Sequence, residues 1–150
     1  MEAERTVLFA DVCDSTGIAE ALGNVASRSI ISEILAKLRA ATEGVGGTVI
    51  KTIGDEIMSA FESPMDAIAS AVDMQRAVST MQPVNGIQAR IRVGLHSGTV
   101  LLEGGDLFGD VVNVSARVVN MAAGEQVLTT GTTIGKIADG LVPYRSLGVH

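Results

Sequence analysis

The chain has a single cysteine, Cys13, among 150 residues. One thiol excludes an internal disulfide and offers no zinc-ligand spacing, which fits a reducing, cytoplasmic setting. The plain expectation for Cys13 is a small buried apolar residue on a strand. Aromatic residues make up only 3% of a chain that is 47% apolar. The core must therefore be built from Val, Ile, Leu, Ala and Met, which suits helices packed on a sheet better than an aromatic-rich sandwich. Basic residues are scarce too: 11 Lys and Arg stand against 17 Asp and Glu, a formal charge of −6, with no basic run. A nucleic-acid backbone finds no footprint there. No run approaches the roughly 18 apolar residues of a membrane span, and "MEAERTVLFAD" lacks a signal peptide's apolar block and cleavage site. Internal repeats and low-complexity segments are missing as well.

What remains is enough chain for one domain with one core, residues 1–150. The sequence stops on the apolar, strand-like "SLGVH", so the expectation is a domain of a longer chain, cut short at its C-terminal end. "TVLFADVCD" reads as a strand running into "DSTG", where Asp14, Ser15 and Thr16 can cap a helix and welcome a phosphate. Helix-spaced apolar residues continue to about 43, divided at Leu22-Gly23-Asn24 and stopped by "EGVGG". A hairpin follows, with strands 48–53 and 56–61 around a Gly54-Asp55 corner. Pro64 opens a helix to about Met81. "IQARIRVGLHSGTVLL" reads as two strand pieces bent at glycines, and "GDVVNVSARVVNMA" as a helix. "QVLTT", "GTTIGKIA" and "VPYRSLGVH" read as strand, short helix and final strand. This order, βα(α)ββαββαβ(α)β, predicts an α+β domain with a ferredoxin-like βαββαβ core and its helices on one face.

Several polar residues interrupt these apolar elements. Asp11 ends a strand and Asp55 tips a hairpin; if the two strands are neighbours, both carboxylates reach one rim beside loop 14–17. Two carboxylates beside a phosphate-ready helix start suit Mg²⁺ shared with a nucleotide. Lys51 sits in a strand otherwise made of Val, Ile and Thr. Asp106 precedes a Phe-Gly turn, and Asn113 and Arg117, four apart on a helix, project from one side. Singly, each has a plain alternative as a turn, cap or surface residue.

Together, "LFADVCDST", "KTIGDEIMSAF", "RVGLHSGTV" and "DLFGDVVNVSAR" resemble, in order and separation, the catalytic domain of the class III nucleotidyl cyclases. The resemblance implies that Asp11, Asp55 and the backbone carbonyl of Val12 hold two divalent ions, Mg²⁺ or Mn²⁺. It also implies that Lys51 and Asp106 read the purine of ATP, that Asn113 orients the ribose, and that Arg117 stabilises charge on the α-phosphate. Each active site would be shared between the protomers of a head-to-tail homodimer, so that a monomer is inactive, and a fused or associated sensor domain is expected. Glu56 is expected to lie on the pleat opposite Asp55, as a structural or solvent-facing residue.

Two features depart from the family pattern. The sequence ends before the segment that usually carries a triphosphate-contacting lysine, and Thr99 follows "HSG" where some members have an arginine. Two other readings share part of these signals: a cyclase-like module that binds nucleotide or dimerises without turnover, and a diguanylate cyclase, in which the Asn113/Arg117 pair has no role.

Overall fold

The computed structural model describes residues 1–148. Its elements are β1 (Glu2–Val12), α1 (Ser15–Leu22), α2 (Asn24–Glu43), β2 (Thr48–Ile53), β3 (Glu56–Phe61), α3 (Pro64–Ser79), β4 (Ile91–Glu103), β5 (Asp106–Phe108), α4 (Asp110–Met121), β6 (Val127–Thr129) and α5 (Gly131–Ile134). Sheet order is β2-β3-β1-β4-β5, with β6 pairing β4. The first four strands with α2 and α3 are the expected ferredoxin-like core.

The central strand explains the two-layered packing. Alternate residues of β1 leave opposite faces of the sheet. Leu8, Ala10 and Val12 join Ile34 and Leu38 of α2 and Met74 and Val78 of α3 in one buried cluster. Val7 and Phe9 join Met58, Val100, Leu107 and the α4 residues Val111 and Val119 in another. The expectation of helices on one face therefore holds for the ferredoxin-like core but not for the whole chain, because α4 covers the opposite face.

The two expected strand pieces around Gly94 and Gly98 are one continuous strand, β4, paired with β1 from Ile91 to Leu101. The glycines serve close packing rather than bending. A Cβ on Gly94 would overlap the Val119 backbone of α4, and one on Gly98 would reach the Val111 side chain. Being long, β4 can hold β6 along Val93–Leu95 and β5 along Leu101–Glu103 on the same edge. The expected final strand does not form over 142–148, none of which is in a strand; residues 149 and 150 of that stretch lie outside the described residues. Cys13 falls just beyond β1, half-buried rather than buried on a strand.

No helix among the described residues is long and apolar enough to cross a membrane.

Candidate active site

β1 and β3 are neighbours, antiparallel, with Asp11 opposite Glu56. The hairpin corner then brings Asp55 against the end of β1, where the Val12 amide donates to the Asp55 carbonyl at 3.2 Å. Asp11, Val12 and Asp55 thus meet at one rim. Burial pushes the Asp11 carboxyl up from its ordinary value; Arg92 pulls it down and the adjacent Asp55 pushes it up.

Cross-strand partners point to the same face of a sheet. The row Glu56, Asp11, Arg92 across β3, β1 and β4 therefore lies on the α4 face. Of the two expected places for Glu56, structural or solvent-facing, the register with Asp11 gives the structural one. Glu56 is half-buried, and burial followed by the Asp11 charge raises its pKa. Arg92 was not singled out by the sequence reading; it donates to Asp11 Oδ2 from Nη2 at 2.9 Å and from Nε at 3.2 Å. Its place inside the apolar "IRVGL" strand, in register with Asp11, was the available signal.

The rim suits a hard divalent cation: its donors are carboxylate and carbonyl oxygens, with no thiol or imidazole among them. Two carboxylates and one carbonyl leave positions that water or phosphate oxygens fill, in keeping with Mg²⁺, which few proteins enclose completely. Among the described residues no group of three His, Cys, Asp or Glu side chains gathers closely enough to hold an ion alone.

Beside the rim, Asp14 caps α1 as expected, accepting from the Gly17 amide at 3.1 Å in a left-handed conformation at φ 52. A Cβ on Gly17 would overlap the Asp14 carboxylate in this position, so a larger residue there would displace the cap. Ser15 and Thr16 lie in the first turn of α1 and take no part in the cap.

Lys51 and Asp106 come together from opposite ends of the sheet, with Nζ 2.9 Å from Oδ2. A shift of register between Val49 and Lys51 places Lys51 opposite Met58. This bulge turns the lysine to the α4 face, as an extra residue in a strand does. Asp106 also accepts from the Leu107 amide at 2.7 Å. Its bond to Lys51 and then that amide hold its carboxyl below the ordinary value.

Asn113 and Arg117 are exposed on α4. Neither side chain makes a hydrogen bond or ion pair among the described residues. Thr99 is engaged elsewhere, donating to Glu4 Oε1 at 2.6 Å, and Glu4 also accepts from Lys136 at 3.0 Å. No hydrogen bond links the Lys51–Asp106 pair to Asp11 or Asp55.

Solved structures share this fold. A rhodopsin-guanylyl cyclase catalytic core with converted specificity, solved with ATPαS, superposes with a TM-score of 0.86 at 24% identity, over 95% of this chain and 86% of that one. An adenylate/guanylate cyclase/hydrolase from Silicibacter pomeroyi gives 0.83 at 23% identity, over 100% and 89%. At these identities the likeness concerns the fold. In sequence, an uncharacterized protein of Mycobacterium tuberculosis is 33% identical over 120 residues, 80% of this chain and 31% of the relative. An adenylate cyclase of Glutamicibacter nicotianae is 27% identical over 129 residues, 86% and 31%. The chain thus spans about a third of the length of these two curated relatives. The sequence model of the adenylate and guanylate cyclase catalytic domain matches residues 2–141, and the chain belongs to that family.

Proposed function

We propose that this domain is an adenylate cyclase, converting ATP to 3′,5′-cyclic AMP and pyrophosphate. The observation that carries the choice of ATP is the Lys51–Asp106 pair at 2.9 Å. Lysine only donates and an ionised aspartate only accepts. Lys51 serves adenine N1 while Asp106 takes a 6-amino hydrogen. Guanine offers the reverse, an oxygen facing the aspartate and an N1 hydrogen facing the lysine, and leaves both groups mispaired.

Asp11, Asp55 and the Val12 carbonyl would hold two Mg²⁺ or Mn²⁺ ions. When bound, the pair lowers the pKa of the 3′-hydroxyl and neutralises the triphosphate. Loop 14–16 lies beside the phosphates. Asn113 orients the ribose so that the 3′-oxygen faces the α-phosphorus, opposite the leaving group. The new 3′-O–P bond forms as the bond to pyrophosphate breaks, and the 3′ proton passes to solvent. Arg117 neutralises charge that grows on the α-phosphate oxygens, the kind of contribution that positioning and fixed charge make to phosphoryl chemistry. No protein nucleophile is needed.

The metal residues of one protomer work in trans with the purine, ribose and α-phosphate residues of the other, in a head-to-tail homodimer placed in the cytoplasm and governed by a sensor domain. Mixing two inactive variants, Asp55→Ala and Arg117→Ala, tests this. Restored cyclase activity, from mixed dimers with one intact site, supports the shared site. A mixture as inactive as its parts contradicts it.

A further inference from the structure

The carboxylate assigned to metal already carries a cation. Arg92 stands opposite Asp11 across β1 and β4, and both of its bonds, at 2.9 and 3.2 Å, end on Asp11 Oδ2. Both side chains are largely withdrawn from solvent, 28% exposed for Arg92 and 17% for Asp11, so the pair is weakly screened. The same guanidinium is tied to the last turn of α4: Nη1 donates to the Asn120 carbonyl at 3.3 Å, and Nη2 to Asn120 Oδ1 at 3.4 Å. Glu56 faces Asp11 from its other side, and Asp55 adjoins it. One guanidinium therefore offsets three carboxylates.

We propose that Arg92 is the counter-cation of the metal-free rim, and that a divalent ion loads by displacing it from Asp11. Asn120 acts as a positioning residue that keeps the guanidinium on α4 as it leaves. The inference rests on assigning Asp11 and Asp55 to the metal. A divalent ion attracts the carboxylate more strongly than a single charge does at equal distance. Until Arg92 moves, however, its charge repels the ion and its hydrogens occupy Oδ2. Metal loading is then an exchange of cations, and the strength of the Arg92 contact sets the ion concentration at which it occurs.

Mn²⁺ binding without nucleotide, followed by the paramagnetic resonance of the free ion, tests the exchange in the wild-type chain, Arg92→Gln, Arg92→Lys and Asp55→Ala. Arg92→Gln is expected to bind Mn²⁺ about tenfold more tightly than wild type, since a nearby positive charge is removed, with Arg92→Lys in between. Without metal, Arg92→Gln is expected to melt below wild type, and Mn²⁺ to raise its midpoint by more. If Arg92→Gln binds Mn²⁺ no more tightly than wild type while Asp55→Ala abolishes binding, the metal rim stands and the exchange is overturned. If Asp55→Ala leaves binding unchanged, the metal assignment falls and the exchange falls with it.

Discussion

Lys51 Nζ lies 2.9 Å from Asp106 Oδ2, an ion pair that joins β2 to β5, the two ends of the sheet path. With side chains 43% and 31% exposed, the pair contributes little stability, as exposed ion pairs generally do. Under the proposed function its consequence is for recognition. Asp106→Asn places a donor beside the acceptor and is expected to lower kcat/KM for ATP by about 10- to 100-fold, with the preference over GTP shrinking accordingly. Product ratios from mixed ATP and GTP measure this. An unchanged ratio would remove Asp106 from base reading.

Burial raises the Asp11 carboxyl above its ordinary value, and the neighbouring Asp55 charge adds to that rise. Asp55→Ala is expected to reduce cyclase activity by roughly 10³-fold or more, since metal charge stabilisation is worth several kcal/mol. The same change relieves repulsion, so the melting temperature of the metal-free chain should hold or rise. Activity lost together with stability would point to a structural role.

His96 donates to or accepts from Thr130 Oγ1 at 2.6 Å. Burial first, and then the Lys136 charge, hold its pKa below the ordinary value, with Asp110 opposing. The folded state therefore binds protons less readily than the unfolded state, whose His titrates near 6.5. The sign follows from linkage: the stability linked to neutral His96 is fully present above about pH 6.5 and declines as pH falls through that value towards the folded pKa. Between about pH 7.5 and 5 the urea midpoint of the wild type should drop relative to that of His96→Gln. Parallel slopes would contradict this.

Gly94 is the point where α4 meets the sheet, since a Cβ there would overlap the Val119 backbone. Gly94→Ala must push α4 outward, at a cost of about 1–3 kcal/mol. Asn113 and Arg117 ride on α4, so kcat is expected to fall more than the folded fraction does. Equal losses would mean that the displacement does not reach the site.

Local signals in the sequence were enough for the hairpin at Gly54-Asp55, the break at Gly23 and the Pro64 helix start, and the structure keeps all three. Each is decided within a few residues by glycine, proline or a cap. Gly94 and Gly98 misled because glycine marks either a bend or a close approach, and only the position of α4 distinguishes the two. The final strand was expected from apolar character alone, which does not create a pairing partner. Asp11 and Asp55 reach one rim, as expected if β1 and β3 are neighbours, whereas the contact of Lys51 with Asp106 joins residues far apart in sequence. Arg92 was missed because its contact with Asp11 depends on register between β1 and β4, a long-range relation that no local pattern carries.

The central claim is that this domain cyclises ATP. Its most direct test incubates the purified chain with equimolar ATP and GTP and either Mn²⁺ or Mg²⁺, over a range of protein concentrations, and identifies the product by mass spectrometry. The account predicts 3′,5′-cyclic AMP, with specific activity rising with protein concentration and lost in Asp55→Ala. Cyclic GMP as the main product, or no cyclic nucleotide even at the highest concentration, would contradict it.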